Sequence, residues 1–270
     1  MTEHVERADD PRIAPFRGVR DPELVRGRGQ FIAEGRLVVR RAIEDGRYRV
    51  RAVLVNDAAH AQLADALARL PPDASIFVGG AGLFVALTGF HIHRGCLALV
   101  DRPPAGTLDA VVAGAATLVV LEGVANPDNV GSIFRNAAAF GCDAIVLSPA
   151  CGDPFYRKAI RTSMGAVLRV PFAVADPWPA SLAAIRGAGF AVAALTPRAP
   201  AVDLATVAHA RPPRLALVAG AEGAGLSAAV ESVADWRIRI PIADAVDSLN
   251  VSVAVAIALH ALRRPPAVAR

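Results

Sequence analysis

Apolar residues fall in short runs separated by polar turns, and their spacing predicts alternating helices and strands. Phe31 to Ile43 carries Ile32, Val39 and Ile43 at helical spacing, with Gly46 beyond the end, and predicts an amphipathic helix. Val50–Val55 is a strand. Asn56-Asp57 caps a helix over 58–70 that Pro71-Pro72 stops. Ser75–Val78 and Cys96–Val100 are further strands, which makes a small α/β unit. The segment 101–107, DRPPAGT, reads as a linker. Beyond it the alternation is more regular. Strands are predicted at Thr117–Leu121, Ala144–Leu147, Phe190–Leu195 and Leu215–Ala219, with helices near 130–140 and 249–262. Strands alternating with helices predict a parallel sheet covered on both faces, so the fold class is α/β. Residues 1–22 are polar, hold Pro11, Pro15 and Pro22, and read as a flexible arm.

Composition narrows this picture. The chain has 270 residues, of which 54% are hydrophobic and 20% charged, which excludes a disordered chain. Mean hydropathy is high, at +0.40, so a membrane span has to be tested. Residues 74–93 lack Asp, Glu, Lys and Arg, but Gly79, Gly80, Gly82 and Gly89 interrupt them and His91 and His93 end them. A strand, a turn and a short buried helix fit better than a span. The beginning is charged from the third residue, so no secretory signal is expected. Cys96, Cys142 and Cys151 form no CxxC pair, which argues against a disulfide framework or a zinc site and makes the cytoplasm the default compartment. Net charge is +4, and 28 of the 29 basic residues are Arg. Residues 17–51 hold ten Arg against five acids, and Arg157, Lys158, Arg161 and Arg169 have no acid among them. Arg157, Lys158 and Arg161 are therefore candidate phosphate contacts to a nucleic acid, although such clusters are equally consistent with solvated faces.

In open α/β sheets, ligands sit beyond the carboxyl ends of strands, and three such ends are unusual here. At 121–141 a buried strand leads into Asn126-Pro127-Asp128-Asn129 and then a helix carrying Gly131 and Arg135. Arg135, placed early in that helix beside free N–H groups, would make an anion site. A capped helix with a surface arginine would look the same. At 215–227, LALVAGAEGAGLS places Gly220, Gly223 and Gly225 between a strand and a helix. The order G-x-x-G-x-G is not the dinucleotide fingerprint, and Glu222 stands where a pyrophosphate would approach. A tight turn with one solvated glutamate is the plainer reading. At 240–262, Ser248, Asn250 and Ser252 alternate with apolar residues at the mouth of a very apolar helix. Ser248 suits an N-cap; Asn250 is harder to assign to one.

In order and content these segments resemble the three motifs of the SpoU (TrmH-like) RNA 2′-O-ribose methyltransferases, in the knotted SPOUT superfamily. The first, N-x-G-x-x-x-R, is Asn129 to Arg135. The second is GAEGAGLS, with Ala221 where many members have Asn. The third is SLNVSVAVAIAL. Between them, RTSMGAVLRVPF at 161–172 resembles the family's RxSMG segment. The match covers roughly 117–262. More loosely, GQFIAEGRLVVRRAI and FHIHRGCLAL resemble a small substrate-binding domain often found before it.

The resemblance implies a flexible arm at 1–22, an RNA substrate-binding domain of ribosomal-protein-like fold at 23–105, and a methyltransferase domain at 106–270 with a C-terminal trefoil knot. It implies S-adenosylmethionine as methyl donor, held by Gly220, Ile240 and Leu249 with Thr196 as a weaker fourth. It gives catalysis to Arg135, with Asn129, Glu222, Ser248 and Asn250 orienting Arg135, ribose and cofactor. No metal is needed. A guanidinium stays protonated, so positioning and stabilisation of the developing alkoxide suit Arg135 better than acting as a base. The last helix is apolar nearly all round, which, with the resemblance, implies a homodimer, although a helix of the same chain could cover its second face. The RNA would be ribosomal or transfer RNA. The domain after the linker is expected to fold without residues 1–105. Two rivals stand: an RNA-binding protein on the same fold that no longer methylates, and a nucleotide-dependent oxidoreductase, which the glycine order disfavours.

Overall fold

The computed structural model describes residues 2–18, 20–88, 95–243 and 245–263. Phe90 to Arg94, part of the second loosely matching segment, lie outside the described residues, as does Gly89. The chain divides into two compact units. The first joins Met1–Pro104 to Pro154–Leu168, and the second joins Ala105–Asp153 to Arg169–Arg270.

The first unit is built on a five-stranded mixed sheet. Its strands are β1 (Thr2–His4), β2 (Gln30–Glu34), β3 (Val50–Val55), β4 (Ser75–Val78) and β5 (Cys96–Asp101), in the order β1-β4-β3-β5-β2. β4 is parallel to β1 and β3, whereas β5 is antiparallel to β3 and β2. The strand at 75–78 is followed by a helix, Ala81–Thr88, so the described part of the uncharged stretch is a strand, a turn and a helix. Among the described residues no helix is long and apolar enough to cross a membrane.

Three expectations are corrected in this unit. Residues 31–34 are strand, not helix: Phe31, Ile32 and Ala33 are buried against β5. A positive φ of 94° at Gly35 turns the chain before the helix Arg36–Glu44. A run of three contiguous apolar residues satisfies either period, and the free edge of β5 decides for the strand. The helix over 58–70 is broken into Asp57–Gln62 and Ala64–Leu67, with Asn56 Oδ1 accepting from the Ala59 N–H at 2.8 Å. The described residues of 1–22 are not a loose arm. β1 pairs with β4, and Val5, Ile13 and Phe16 join a core with Leu54, Phe77 and Leu97. Three apolar anchors outweigh the segment's polar character.

The boundary at 105/106 also misses a return of the chain. Residues 154–168, which include the helix Arg157–Thr162, belong to the first unit. Phe155 stacks on Phe31 with centroids 4.7 Å apart, and Arg41 Nη1 donates to the Met164 carbonyl at 2.6 Å. Tyr48 Oη donates to the Leu168 carbonyl at 3.0 Å. A fragment spanning 106–270 keeps this segment but loses its partners. It is expected to bind a fluorescent hydrophobic dye more strongly than the full chain and to aggregate, contrary to the expectation that it folds cleanly. Equal dye binding by fragment and full chain would contradict this.

The second unit carries seven parallel strands. They are β6 (Thr117–Glu122), β7 (Ala144–Leu147), β8 (Phe172–Val174), β9 (Ala191–Leu195), β10 (Val202–Asp203), β11 (Leu215–Gly220) and β12 (Trp236–Arg239). Their order is β10-β12-β9-β11-β6-β7-β8, and every pairing is parallel. Side chains alternate between two faces along each strand. Leu118, Val120, Val146, Val192 and Val218 pack with Val111, Leu182, Ile185 and Val230 of three helices. The helices Pro127–Ala139 and Val251–Ala261 pack on each other and against β7 and β11 respectively. β9 and β11 lie side by side at the middle of the sheet, so their carboxyl ends open onto one place.

All three cysteines are buried free thiols. Burial pushes Cys96 and Cys142 up to about 12, and Cys151 up as well, from an ordinary value of 9.0. A thiol reagent at pH 8 is expected to label the native protein slowly and all three thiols in denaturant. Because the unfolded thiols ionise first, stability should decline from about pH 9 towards 12. Rapid labelling of the native protein would show the packing to be looser than described.

Candidate active site

The helix Pro127–Ala139 begins with Pro127 at its first position and Asn126 as N-cap, whose Oδ1 accepts from the Asp128 N–H at 2.9 Å. Asn129 therefore falls in the first turn, where it is buried. Arg135 falls in the third turn and is exposed. The expectation of Arg135 beside free helix N–H groups is corrected: Pro127 starts the helix three residues early, which carries Arg135 away from them.

The glycine segment leaves β11 at Gly220 and folds back, with the Gly225 N–H donating to the Ala221 carbonyl at 2.9 Å. Ser227 caps the next helix, Ala228–Val233. Its N–H and hydroxyl both donate to Glu122 at the end of β6, each at 2.8 Å, and Trp178 Nε1 donates to the same carboxylate at 2.9 Å. Glu122 was missed from sequence; its only signal is a charge ending an apolar strand.

The third segment ends in the helix Val251–Ala261, whose N-cap is Asn250 rather than Ser248. Asn250 Oδ1 accepts from the N–H groups of Ser252 at 2.9 Å and Val253 at 3.3 Å, and from the Ser252 hydroxyl at 2.7 Å. Asn250 Nδ2 donates to Asn129 Oδ1 at 3.0 Å and to Glu222 Oε1 at 2.7 Å. One amide thus caps a helix and ties together three segments far apart in sequence. Its hydrogen-bonding capacity is used in full, and Asn129 and Glu222 are held in fixed orientations.

Beside this junction lies a cavity of about 380 Å³, within the range of small-molecule sites. It is lined by the chain following β9, β11 and β12, and by Ser248 to Val251. Thr196, Gly220, Ile240 and Leu249 all line it, as do Glu222, Ser248 and Asn250. Thr196 Oγ1 donates to Glu231 Oε1 at 3.1 Å. Arg135 and Asn129 do not line the cavity. Arg157, Lys158 and Arg161 belong to the first unit. Arg157 is paired with Glu34 at 3.3 Å. Lys158 and Arg161 are exposed. Several arginines of the 17–51 cluster are also paired: Arg40 with Asp65, Arg47 with Asp45, Arg49 with Asp73 and Arg51 with Asp101. Much of that local charge is spent inside the unit.

The SpoU rRNA Methylase family model matches residues 116–260. The chain belongs to the SpoU rRNA methylase family. Proteins similar to it include a Mycobacterium tuberculosis protein described as an uncharacterized tRNA/rRNA methyltransferase, 43% identical over 260 residues, 93% of this chain and 88% of the relative. The Bacillus subtilis 23S rRNA (guanosine(2553)-2′-O)-methyltransferase is 26% identical over 265 residues, 96% of this chain and 98% of its own. Among solved structures, an AdoMet-bound rRNA methyltransferase from Sinorhizobium meliloti superposes with a TM-score of 0.84 at 25% identity, covering 97% of each chain. The match to that structure takes in both units, not the SpoU segment alone.

Proposed function

We propose that this protein transfers the methyl group of S-adenosylmethionine to a ribose 2′-hydroxyl in ribosomal or transfer RNA. The observation that carries the proposal is the junction at Asn250. It brings the three family segments together at the rim of the cavity that all four expected cofactor residues line. The cavity suits the donor. A Cβ on Gly220 would lie 2.3 Å from the Gly225 carbonyl carbon, so the chain is packed there as closely as backbone allows. Similarity to the 2′-O-methyltransferase of Bacillus subtilis and to the AdoMet-bound structure supports the same reading.

When bound, the donor supplies a methyl on a sulfonium, so the chemistry needs no metal. Attack of the 2′-oxygen on that methyl carbon would break the S–CH3 bond, leave its electron pair on sulfur and release the hydroxyl proton to water. This chain must align oxygen, carbon and sulfur and favour the alkoxide. Glu222, fixed by Asn250, and the cavity wall position the reactants. Arg135 supplies positive charge for an RNA phosphate and the developing alkoxide.

Arg135 stands outside the cavity of its own chain, which favours a site completed by a second copy. Along the last helix, Val251, Val255 and Leu259 are buried, whereas Val253 and Ile257 are 46% and 39% exposed. These two lie four residues apart on one face and suit a two-fold interface. Sedimentation at micromolar protein is expected to give twice the 28.0 kDa chain mass. A fully active single-chain species would refute the dimer requirement.

A C-terminal trefoil knot belongs to the same reading. It is supported by the strand order, in which β11 enters between β9 and β6, and β12 between β9 and β10. Residues 23–105 would serve as the RNA-binding domain, with Lys158 and Arg161 as exposed cations of that unit. The decisive experiment maps 2′-O-methylation in total RNA from cells with and without the gene. Loss of one methylated position supports the reading; an unchanged map overturns it and favours an RNA binder that no longer methylates.

A further inference from the structure

Two loops form much of the cavity rim, 196–198 after β9 and 220–226 after β11, and one side chain ties them. Arg198 Nη2 donates to the Ala224 carbonyl at 2.6 Å, and Nη1 to the Leu226 carbonyl at 3.2 Å. Arg198 is itself held in place. Its N–H donates to Thr196 Oγ1 at 3.2 Å, and its guanidinium lies 3.8 Å from Glu231. The Glu231 side chain is only 11% exposed and pairs with Arg237 at 2.9 Å, besides accepting from Thr196. A carboxylate with these partners is a fixed anchor.

Besides Arg198, the Gly225 N–H to Ala221 carbonyl bond and the Asn250 bond to Glu222 restrain this loop, but neither reaches the carbonyls of Ala224 and Leu226. Residues 222–224 are exposed, and Leu226 is the buried apolar residue of the turn. A glycine-rich exposed turn samples many backbone conformations, and a ligand that needs one of them binds more weakly in proportion to its population. A planar guanidinium bonded to two carbonyls of one turn selects a single shape.

We propose that Arg198, anchored by Glu231, is a positioning residue that holds the glycine loop 220–226 in the form that receives the methyl donor. The inference rests on the reading of this cavity as the S-adenosylmethionine site. It assigns a role to a residue outside all three family motifs.

Calorimetric titration of Arg198→Met and Arg198→Lys, with the wild type alongside, tests it. Two ligands are used: S-adenosylmethionine, and 5′-methylthioadenosine, which lacks the amino acid carboxylate. Arg198→Met is expected to weaken both by the same factor, roughly tenfold. Arg198→Lys, which reaches one carbonyl, should fall between. The melting temperature should change little, because the side chain is about half exposed. Loss of affinity for S-adenosylmethionine alone would mean that Arg198 meets the carboxylate directly and would overturn the positioning role. A lowered melting temperature with unchanged affinity would also overturn it, as a purely structural effect. A wild type that binds neither ligand sinks the reading of the cavity and the inference with it, whereas binding by the wild type with equal binding by Arg198→Met sinks the inference alone.

Discussion

Arg135→Ala is expected to lower methyl transfer by roughly a hundredfold or more while leaving the fold and donor binding intact. Arg135 is exposed on the helix Pro127–Ala139 and does not line the cavity. Truncating an exposed side chain outside any cap or core costs within about 0.5 kcal/mol of stability. Donor affinity should follow the same logic, since Arg135 is not among the cavity walls. Under the proposed mechanism the variant removes a positive charge that would meet the developing negative charge, so the loss would fall on the transition state. Arg135→Lys should recover only part of the rate, because an ammonium cannot hold a phosphate bidentately. Transfer of labelled methyl to unmethylated RNA is the measurement. Near wild-type transfer by the alanine variant would remove Arg135 from the mechanism, even with cofactor binding confirmed.

Where sequence reading succeeded and failed follows from what each element depends on. Val50–Val55, Ser75–Val78 and Ala144–Leu147 were legible to the residue, because a buried strand is a short apolar run with abrupt polar ends. Residues 31–34 were not, since their fate turned on a free edge of β5 that local pattern does not carry. Val5, Ile13 and Phe16 are too sparse among polar neighbours to announce a core contribution, although they are buried. The return of residues 154–168 to the first unit has no local signal at all; it becomes visible only when Phe155 meets Phe31. Within the site, the motif residues were legible through their order, but their bonding was not. Asn250 stands out at the mouth of an apolar helix, yet its use as cap and as bridge to Asn129 and Glu222 depends on three segments meeting. Arg198 sits in a plain polar turn, and nothing about that turn betrays two carbonyl contacts made across space.

Gly220→Ala should abolish donor binding. A Cβ built at Gly220 would lie 2.3 Å from the Gly225 carbonyl carbon, 2.4 Å from its oxygen and 2.5 Å from the Leu226 nitrogen. All three are backbone atoms, so no rotamer change relieves the clash. The loop 221–226 must shift, and it is the wall of the cavity. Overpacking of this kind costs about 1–3 kcal/mol, so the variant should fold with a lower melting temperature. Gly220→Val, with a larger branched side chain, should lower it further. Gly187→Ala is the control. It lies at the end of the helix Ser181–Gly187, with nothing within 4 Å of the added carbon, and should leave melting temperature and binding nearly unchanged. Melting curves and S-adenosylmethionine titrations on the variants check the argument. Unchanged donor affinity in Gly220→Ala would mean that the loop yields without cost, and that the close approach of Gly220 to Gly225 does not shape the cofactor site.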